Sequence, residues 1–525
     1  MSAPSPEAVA ARVVTPGWPR AALLSLSDKT GAVEFARALA VHGTRILASG
    51  GTAEVLGQAG IAVTPVEEWT GFRELLGGRV KTLHPHVHAP ILARRDSAAD
   101  MAALAERQLE PLDLVAVSLY PFEAKGIELD DESMIEEIDI GGVALLRGAA
   151  KNHDGVIVLH DPSQYGEALA ALEQGVTPAA RRRWALSAFA HTASYDSAIA
   201  RELARRMVGE DEPPAFHALV LDHARTLRYG ENPHQSAALY ARVGARRALE
   251  SWREGKELSY NNLLDLESAV TLAWRFEEPA CVIVKHNQPC GAAVGRSLAE
   301  AYAAAYRADE LSAFGGIVAV NRPLDAETAK LLSTLFVECV AFPAITPEAD
   351  LVLKGKKNLR LVQLTAADLG VRDPWQVRSV GPWALLQREP TGQAPPWRTV
   401  SRRAPSGTEM AALIFAWEVC SAARSNAIVL AKGEALVGLG SGQTSRVDAV
   451  DVALLKARRA GHELHGTVLA SDGFFPFPDG VTHAAEAGIT AIVQPGGSVK
   501  DPECILEADR LGVAMIFTDR RTFRH

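Results

Sequence analysis

From Ala21 onward, short apolar runs alternate with longer stretches in which apolar positions recur every three or four residues. Runs of four to seven β-branched and aliphatic residues read as buried strands, and the longer stretches as helices with one buried face. This pattern predicts strands at Ala22–Leu26, Thr44–Ala48, Ile61–Val66, Asp113–Leu119 and Val156–Leu159. It predicts helices over Thr30–His42, from Ala53 and from Pro178 to Val208. Strands alternating with helices of this length predict an α/β fold with a mostly parallel sheet.

The polar, proline-bearing stretch Gly209–Pro214 reads as a linker. Beyond it, strands are predicted at Val282–Val284, Ile317–Val320, Ala427–Leu430, Thr467–Ala470 and Ala491–Val493. The segments around 280–321 and 426–471 share one order: apolar strand, small-residue loop, helix, strand. They predict two similar α/β lobes, about 216–365 and 407–525. Ala366–Ser406 is rich in Pro, Trp and Arg and weakly periodic, and reads as a connection between lobes or an interface arm. The expected organisation is therefore a mobile tail over 1–20, a first domain over 21–212 and a second region over 213–525.

Composition narrows the function. A chain of 525 residues is too long for one core and implies roughly three or four structural units. No apolar run approaches a membrane span, and the proline-bearing start makes a poor signal peptide, so the expected address is the cytoplasm. Five scattered cysteines without a C-x-x-C pair argue against zinc ribbons and disulfide frameworks. A net charge of −9 without long like-charge blocks argues against non-specific nucleic-acid binding.

Candidate chemistry gathers where predicted strands end. Ser27-Asp28-Lys29-Thr30 and Ser49-Gly50-Gly51-Thr52 each join a strand to a helix. Helix amino termini present free N–H groups, glycines admit a close ligand, and Lys29 adds charge. One such junction is ordinary capping; two in succession favour a phosphate cradle. Arg79, Lys81 and Thr82 follow a double glycine and, if extended, Arg79 and Lys81 share a face suited to an anion. His84, His86 and His88 alternate, but no Cys or convincing carboxylate joins them and Pro85 disturbs the spacing, so no metal is assigned. Tyr120 ends a buried strand. Asp139 before Gly141-Gly142 is either a helix cap or an acid near Lys81, and Lys151 lies further along that helix.

In the second region the apolar run Cys281–Val284 stops at Lys285-His286 and turns through Pro289 and Gly291. Lys285 supplies a cation, and His286 can move a proton near neutral pH. The bland alternative is a solvated strand end. Arg228, Tyr229 and His234 crowd one polar turn, Phe314 precedes a strand, and Asn426 precedes another. Gly438-Leu-Gly440-Ser-Gly442-Gln443-Thr-Ser445-Arg446 is not G-x-G-x-x-G, and no Walker A loop is present. Pro289-Cys290 lacks the second cysteine and H-x-E of zinc deaminases.

Taken in order, SDKTG, ASGGT, GRVKTLHP, LYPF, IDIGG, AAKNH, LRYGENPHQ, VKHNQPCGAA, SDGFFPF, QPGGS and the terminal RTFRH resemble the bifunctional AICAR formyltransferase/IMP cyclohydrolase family of purine biosynthesis, from about Ala21 to His525. The resemblance implies formyl transfer from 10-formyltetrahydrofolate to AICAR by the carboxyl-terminal region. It implies cyclodehydration of the product, FAICAR, to IMP by the first domain. It further implies a methylglyoxal-synthase-like first domain, paired cytidine-deaminase-like lobes lacking zinc, and a homodimer with formyltransferase sites across its interface. No metal, NAD or ATP is implied. By resemblance, Lys285 and His286 are catalytic for transfer, and Lys81, Tyr120, Asp139 and Lys151 for closure. By the same resemblance, Ser27, Lys29, Ser49, Gly50, Gly51, Thr52, Arg79 and Thr82 hold the ribose phosphate of the substrate for ring closure. Arg228, Tyr229, His234, Phe314, Asn426, Arg521, Phe523 and His525 hold AICAR, while Asp472 and Asn426 meet the folate. Two departures are Pro90, where the family has glycine, and Gly473, where it has alanine; the second is expected to loosen the Asp472 loop.

Overall fold

The computed structural model describes residues 14–122, 129–209, 212–242, 256–364, 368, 375–388 and 395–525. Chain contacts divide it into two compact units, Met1–Val220 and Leu221–His525. The expected linker falls partly outside the described residues, as do positions 1–13 of the expected tail.

The first unit is built on β1 (Ala21–Leu26), β2 (Arg45–Ala48), β3 (Val63–Pro65), β4 (Leu114–Ser118) and β5 (Ile157–Leu159). All pair in parallel, in the order β3-β2-β1-β4-β5. Leu23, Leu24, Leu47, Val115 and Val158 are fully buried, as a sheet covered on both faces requires. The chain reverses direction across the sheet between β1 and β4, so a crevice opens beyond their carboxyl ends.

Several details depart from the pattern-based reading: the expected strand Ile61–Val66 is only Val63–Pro65, with Val66 opening a helix, and the helix expected from Thr30 begins at Ala32. Residues 14–20 do not hang free: Trp18 stacks on His42 at 3.6 Å and is nearly buried, and Thr44 Oγ1 donates to the Pro19 carbonyl. Together with a backbone bond from Thr15 N to the His42 carbonyl, these contacts anchor a segment that its prolines marked as a tail. The helix after β2 begins at Gly50 rather than Ala53, because Gly50 takes the left-handed φ of 41° that lets the chain turn directly off the strand.

The second unit opens with the hairpin β6 (Leu221–Leu227) and β7 (Ala237–Arg242). One lobe follows, with β8 (Ala280–Lys285), β9 (Gln288–Val294), β10 (Ile317–Val320), β11 (Cys339–Phe342) and β12 (Arg360–Gln363). The hairpin β13 (Trp375–Val380) and β14 (Trp383–Arg388) and the short β15 (Arg398–Thr399) lead to the other lobe. Its remaining strands are β16 (Ile428–Ala431), β17 (Leu436–Gly440), β18 (Thr467–Ser471), β19 (Ile489–Gln494) and β20 (Ala514–Phe517). The lobes share one topology. Each has an antiparallel hairpin (β8–β9, β16–β17), a strand antiparallel to its first arm (β10, β18), then two parallel strands.

Side chains alternate along these strands between two cores. Val282, Val284, Val429 and Ala431 face a central core shared with helices Tyr260–Ala273 and Gly407–Ala422. Cys281 and Ile283 face an outer core of the first lobe, and Ile428 and Leu430 an outer core of the second. The helices between the sheets are covered widely, which is why Gly407–Ala422 is apolar almost all round. In both lobes glycine lets the hairpin's second arm touch a helix backbone: a Cβ on Gly291 would collide with the Ala305 carbonyl, and one on Gly440 with that of Ala449. The expected turn through Pro289 and Gly291 is therefore a strand. The turn is His286-Asn287, with φ of 55° and 59°, the signature of a tight two-residue hairpin.

Candidate functional site

In the first unit the expected cradle forms at the carboxyl ends of β1, β2 and β4. Ser25 Oγ and Ser49 Oγ lie 3.1 Å apart, and Thr52 Oγ1 ties the helix start to both the N–H and the carbonyl of Leu26. Ser49 makes no side-chain cap bond, and Thr52 N and Ala53 N turn back to the Ser49 carbonyl, which leaves the N–H groups of Gly50 and Gly51 to face an anion. Two ammonium groups lie over the glycines. Lys29 Cε stands 3.8 Å from where a Cβ on Gly51 would be, and Lys81 Nζ 2.7 Å from one on Gly50. Ser27 N donates to the Ser118 carbonyl, placing the Ser27–Lys29 turn beside the end of β4. Tyr120, just beyond, is half exposed.

Arg79 and Lys81 do not share an extended face. Gly77 and Gly78 both have positive φ and turn the chain, and Leu75 bridges Val80. Arg79 pairs with Glu136 while Lys81 pairs with Glu74 at 2.9 Å. Thr82 is buried, with Oγ1 2.7 Å from where a Cβ on Gly141 would stand. Asp139 sits at that helix start and Oδ1 accepts from Gly142 N at 2.7 Å. Burial pushes its carboxyl up, against the pull of the Gly142 and Gly141 N–H groups. Lys151 ends the same helix, roughly 15 Å further along. It lines a cleft of about 580 Å³ with His88, Asp139, Arg147 and Phe189. The His84 and His86 rings meet edge-on at 4.8 Å, and His84 Nδ1 accepts from His86 N as a helix cap, while His88 lines the cleft.

In the second unit, the two lobes supply one constellation. Lys285 Nζ donates to the Phe314 carbonyl at 2.6 Å, while His286 is exposed at the hairpin tip. Beside them, Gln288 Oε1 accepts from Arg424 N, joining this hairpin to the loop that carries Asn426. Asn426 Oδ1 accepts from Arg446, which also donates to Ser471 Oγ and Asp472 Oδ1. Arg228 stacks over Tyr229 in the β6–β7 turn, where His234 is exposed, and Asn261 Nδ2 donates to the Glu231 carbonyl of that turn.

Asp472 is fully buried and both its oxygens are taken, one by Arg446 and one by Ser425 Oγ at 2.5 Å. It organises the loop rather than offering a free acid to a ligand. The chain end is docked on the same loop: Thr522 N donates to the Asp472 carbonyl, and Ser425 N to that of Arg524. Arg521 lies over Phe523, and Phe523 is 6.3 Å from His525. Gly473 does not loosen this loop. A Cβ there would stand 2.7 Å from Phe523 Cε1 and 2.6 Å from Arg446, so the missing methyl admits both. Pattern reasoning missed Arg446, Ser425 and Asp265. Arg446 closes the glycine-rich motif and was legible as a cation at a strand–helix junction; Asp265 lies mid-helix with no local signal.

Residues 149–456 match the family described as AICARFT/IMPCHase bienzyme, and residues 31–144 the MGS-like domain. The chain belongs to the AICARFT/IMPCHase bienzyme family. It is similar to the bifunctional purine biosynthesis protein PurH of Chloroflexus aurantiacus, at 49% identity over 96% of this chain and 98% of the relative. Its similarity to PurH of Persephonella marina is 47%, over 96% of this chain and the whole relative. For PurH of a Cyanothece strain it is 49%, over 97% and the whole relative. The bienzyme's activities are AICAR formyl transfer, which takes a folate cosubstrate, and IMP cyclisation, the last two steps of IMP synthesis. The MGS-like match falls on the parallel-sheet unit.

Proposed function

We propose that the second unit transfers the formyl group of 10-formyltetrahydrofolate to the 5-amino group of AICAR at the constellation around Lys285 and His286. The AICAR amine is a weak nucleophile, because its lone pair is delocalised into the imidazole carboxamide. His286 takes the amine proton as nitrogen attacks the formyl carbon, and Lys285 faces the oxyanion that forms. The bond from that carbon to folate N10 then breaks, and the proton passes to N10. Arg228, Tyr229, His234, Phe314 and Asn426 hold the nucleotide and orient the reacting groups, with Arg521, Phe523 and His525 from the docked tail. Asp472 acts through Arg446 and Asn426. The lobes are of the cytidine-deaminase type, with no zinc in this chemistry.

In the first unit, FAICAR closes when its carboxamide nitrogen attacks its own formyl carbon, and water leaves. The reaction is intramolecular, so holding a folded conformer does much of the work. Ser27, Lys29, Ser49, Gly50, Gly51, Thr52, Arg79 and Thr82 bind the ribose phosphate. Lys81 stabilises the oxyanion, with Tyr120, Asp139 and Lys151 assisting. Neither step uses NAD or ATP.

We further infer a cytoplasmic homodimer. No helix of the described residues is long and apolar enough to cross a membrane. A two-stranded hairpin is marginal alone, and β13–β14 exposes Val377, Val380, Trp383 and Leu385. A second copy covering this arm accounts for them.

The observation that carries the reading is the Lys285-His286 tip beside the Asn426 loop, with Lys285 held at 2.6 Å on the Phe314 carbonyl. Purified protein given AICAR and 10-formyltetrahydrofolate is expected to release both tetrahydrofolate and IMP. His286→Ala is expected to abolish tetrahydrofolate release and spare closure of supplied FAICAR. Neither product from wild type, with nucleotide still bound, would instead support a regulatory nucleotide-binding protein.

A further inference from the structure

The turn that presents His286 is held in an unfavourable backbone state. Both His286 and Asn287 lie in the left-handed region that a two-residue hairpin requires, which residues other than glycine adopt at some cost, smaller for asparagine than for most. Such states persist where neighbouring structure over-determines them. Here one side chain does so. Asp265, in the middle of helix Tyr260–Ala273, accepts from Asn287 N at 2.6 Å on Oδ1 and from His286 N at 3.3 Å on Oδ2. The Asn287 side-chain amide adds support on the same helix, its nitrogen donating to the Leu264 carbonyl at 3.0 Å, to Asp265 Oδ1 and to Ser268 Oγ. The helix is rooted in the central core through Leu266, Ala269 and Val270, so the acceptors sit on a rigid element.

We propose that Asp265 is a positioning residue for formyl transfer: its carboxylate fixes the two backbone N–H groups of the turn and thereby aims the His286 imidazole at the AICAR amine. This role rests on His286 being the base of the proposed transfer. Nothing in it requires Asp265 to touch either substrate. Burial pushes the Asp265 carboxyl up, yet the two N–H donors pull the other way, as expected of a carboxylate that spends its lone pairs on backbone. An aspartate reaches two consecutive N–H groups with its two oxygens; asparagine retains only one acceptor.

The test is steady-state kinetics of the full-length protein with AICAR and 10-formyltetrahydrofolate. Asp265→Ala is expected to lower kcat for tetrahydrofolate release by about 100-fold, the cost of a small misplacement of a reacting group. KM for AICAR is expected to stay within about threefold, because the interaction lost acts in the transition state. Asp265→Asn, nearly isosteric and with one acceptor left, is expected to fold and to lose about tenfold. Adding Asn287→Gly to Asp265→Ala is expected to recover part of kcat, since glycine takes positive φ freely. Wild-type kcat in Asp265→Asn and Asp265→Ala would overturn the proposal. So would a loss in which KM rises as much as kcat falls and Asn287→Gly restores nothing. If Asp265→Ala does not fold, Asp265→Asn decides alone. Absence of tetrahydrofolate release from wild type would instead sink the reading of His286 itself.

Discussion

Gly473 shows how much one missing methyl decides. Phe523 and Arg446 both occupy the space that a Cβ would take, so Gly473→Ala must displace the Phe523 ring and the Arg446 guanidinium. Formyl transfer is expected to lose about tenfold in kcat/KM while closure of FAICAR is unchanged, consistent with an overpacking cost of about 1–3 kcal/mol. Assaying the two half-reactions separately checks this. Asp139 carries the opposite kind of cost. Its folded carboxyl is raised above its unfolded value by burial, so its contribution to stability is greatest when protonated and falls as pH rises through the raised value. Asp139→Asn keeps an oxygen for Gly142 N and sheds the buried charge. It is expected to melt no lower than wild type above pH 7 and to close FAICAR more slowly; a lower Tm there would show that the charge itself stabilises the fold.

At the scale of elements, close approach and capping do the work. In each lobe a glycine strand touches a helix backbone, and Gly440→Ala is expected to cost about 3 kcal/mol or more because the obstructing atom is a carbonyl rather than a movable side chain. Denaturant titration would measure it. Helix Gly407–Ala422 starts in a capping box, where Glu409 accepts from Ser406 N and from Arg403. Arg403 first of all holds the Glu409 carboxyl down at about 2, from an ordinary 4.5. A depressed carboxylate contributes stability above its unfolded value and loses it as pH falls through the folded one. Glu409→Gln is therefore expected to destabilise on the order of 2 kcal/mol at pH 7, since each tenfold change in proton affinity is worth about 1.4 kcal/mol and solvent screens part of it. The gap from wild type should shrink as pH falls from 4.5 towards about 2.

For the whole molecule, the proposed function makes the second unit's docked chain end part of the transfer site. Removing Thr522–His525 takes away the Thr522–Asp472 and Ser425–Arg524 backbone bonds. Formyl transfer is expected to vanish while FAICAR closure, carried by the other unit, continues; equal loss of both would contradict the division of labour. The proposed dimer predicts sedimentation at twice the 56.1 kDa of one chain.

The sequence by itself determined the strands of the parallel sheet and the central strands of the lobes, because apolar runs and their periodicity follow from local burial; it did not determine the antiparallel hairpins β6–β7 and β13–β14 or the hairpin arm β9. Strand positions such as Ile317–Val320 and the long helix Pro178–Val208 came out residue for residue. It also located the Ser49–Thr52 junction and the Lys285-His286 tip, since both lie at strand ends marked by glycine, proline and charge. Only the tertiary structure decided partners. That Arg79 goes to Glu136 while Lys81 covers Gly50 depends on a glycine turn. The Asp472 carboxylate is committed to Arg446 and Ser425, and His286 hangs on Asp265 twenty-one residues away. These pairings depend on how elements meet in space, and no local pattern of hydrophobic and polar positions carries that information.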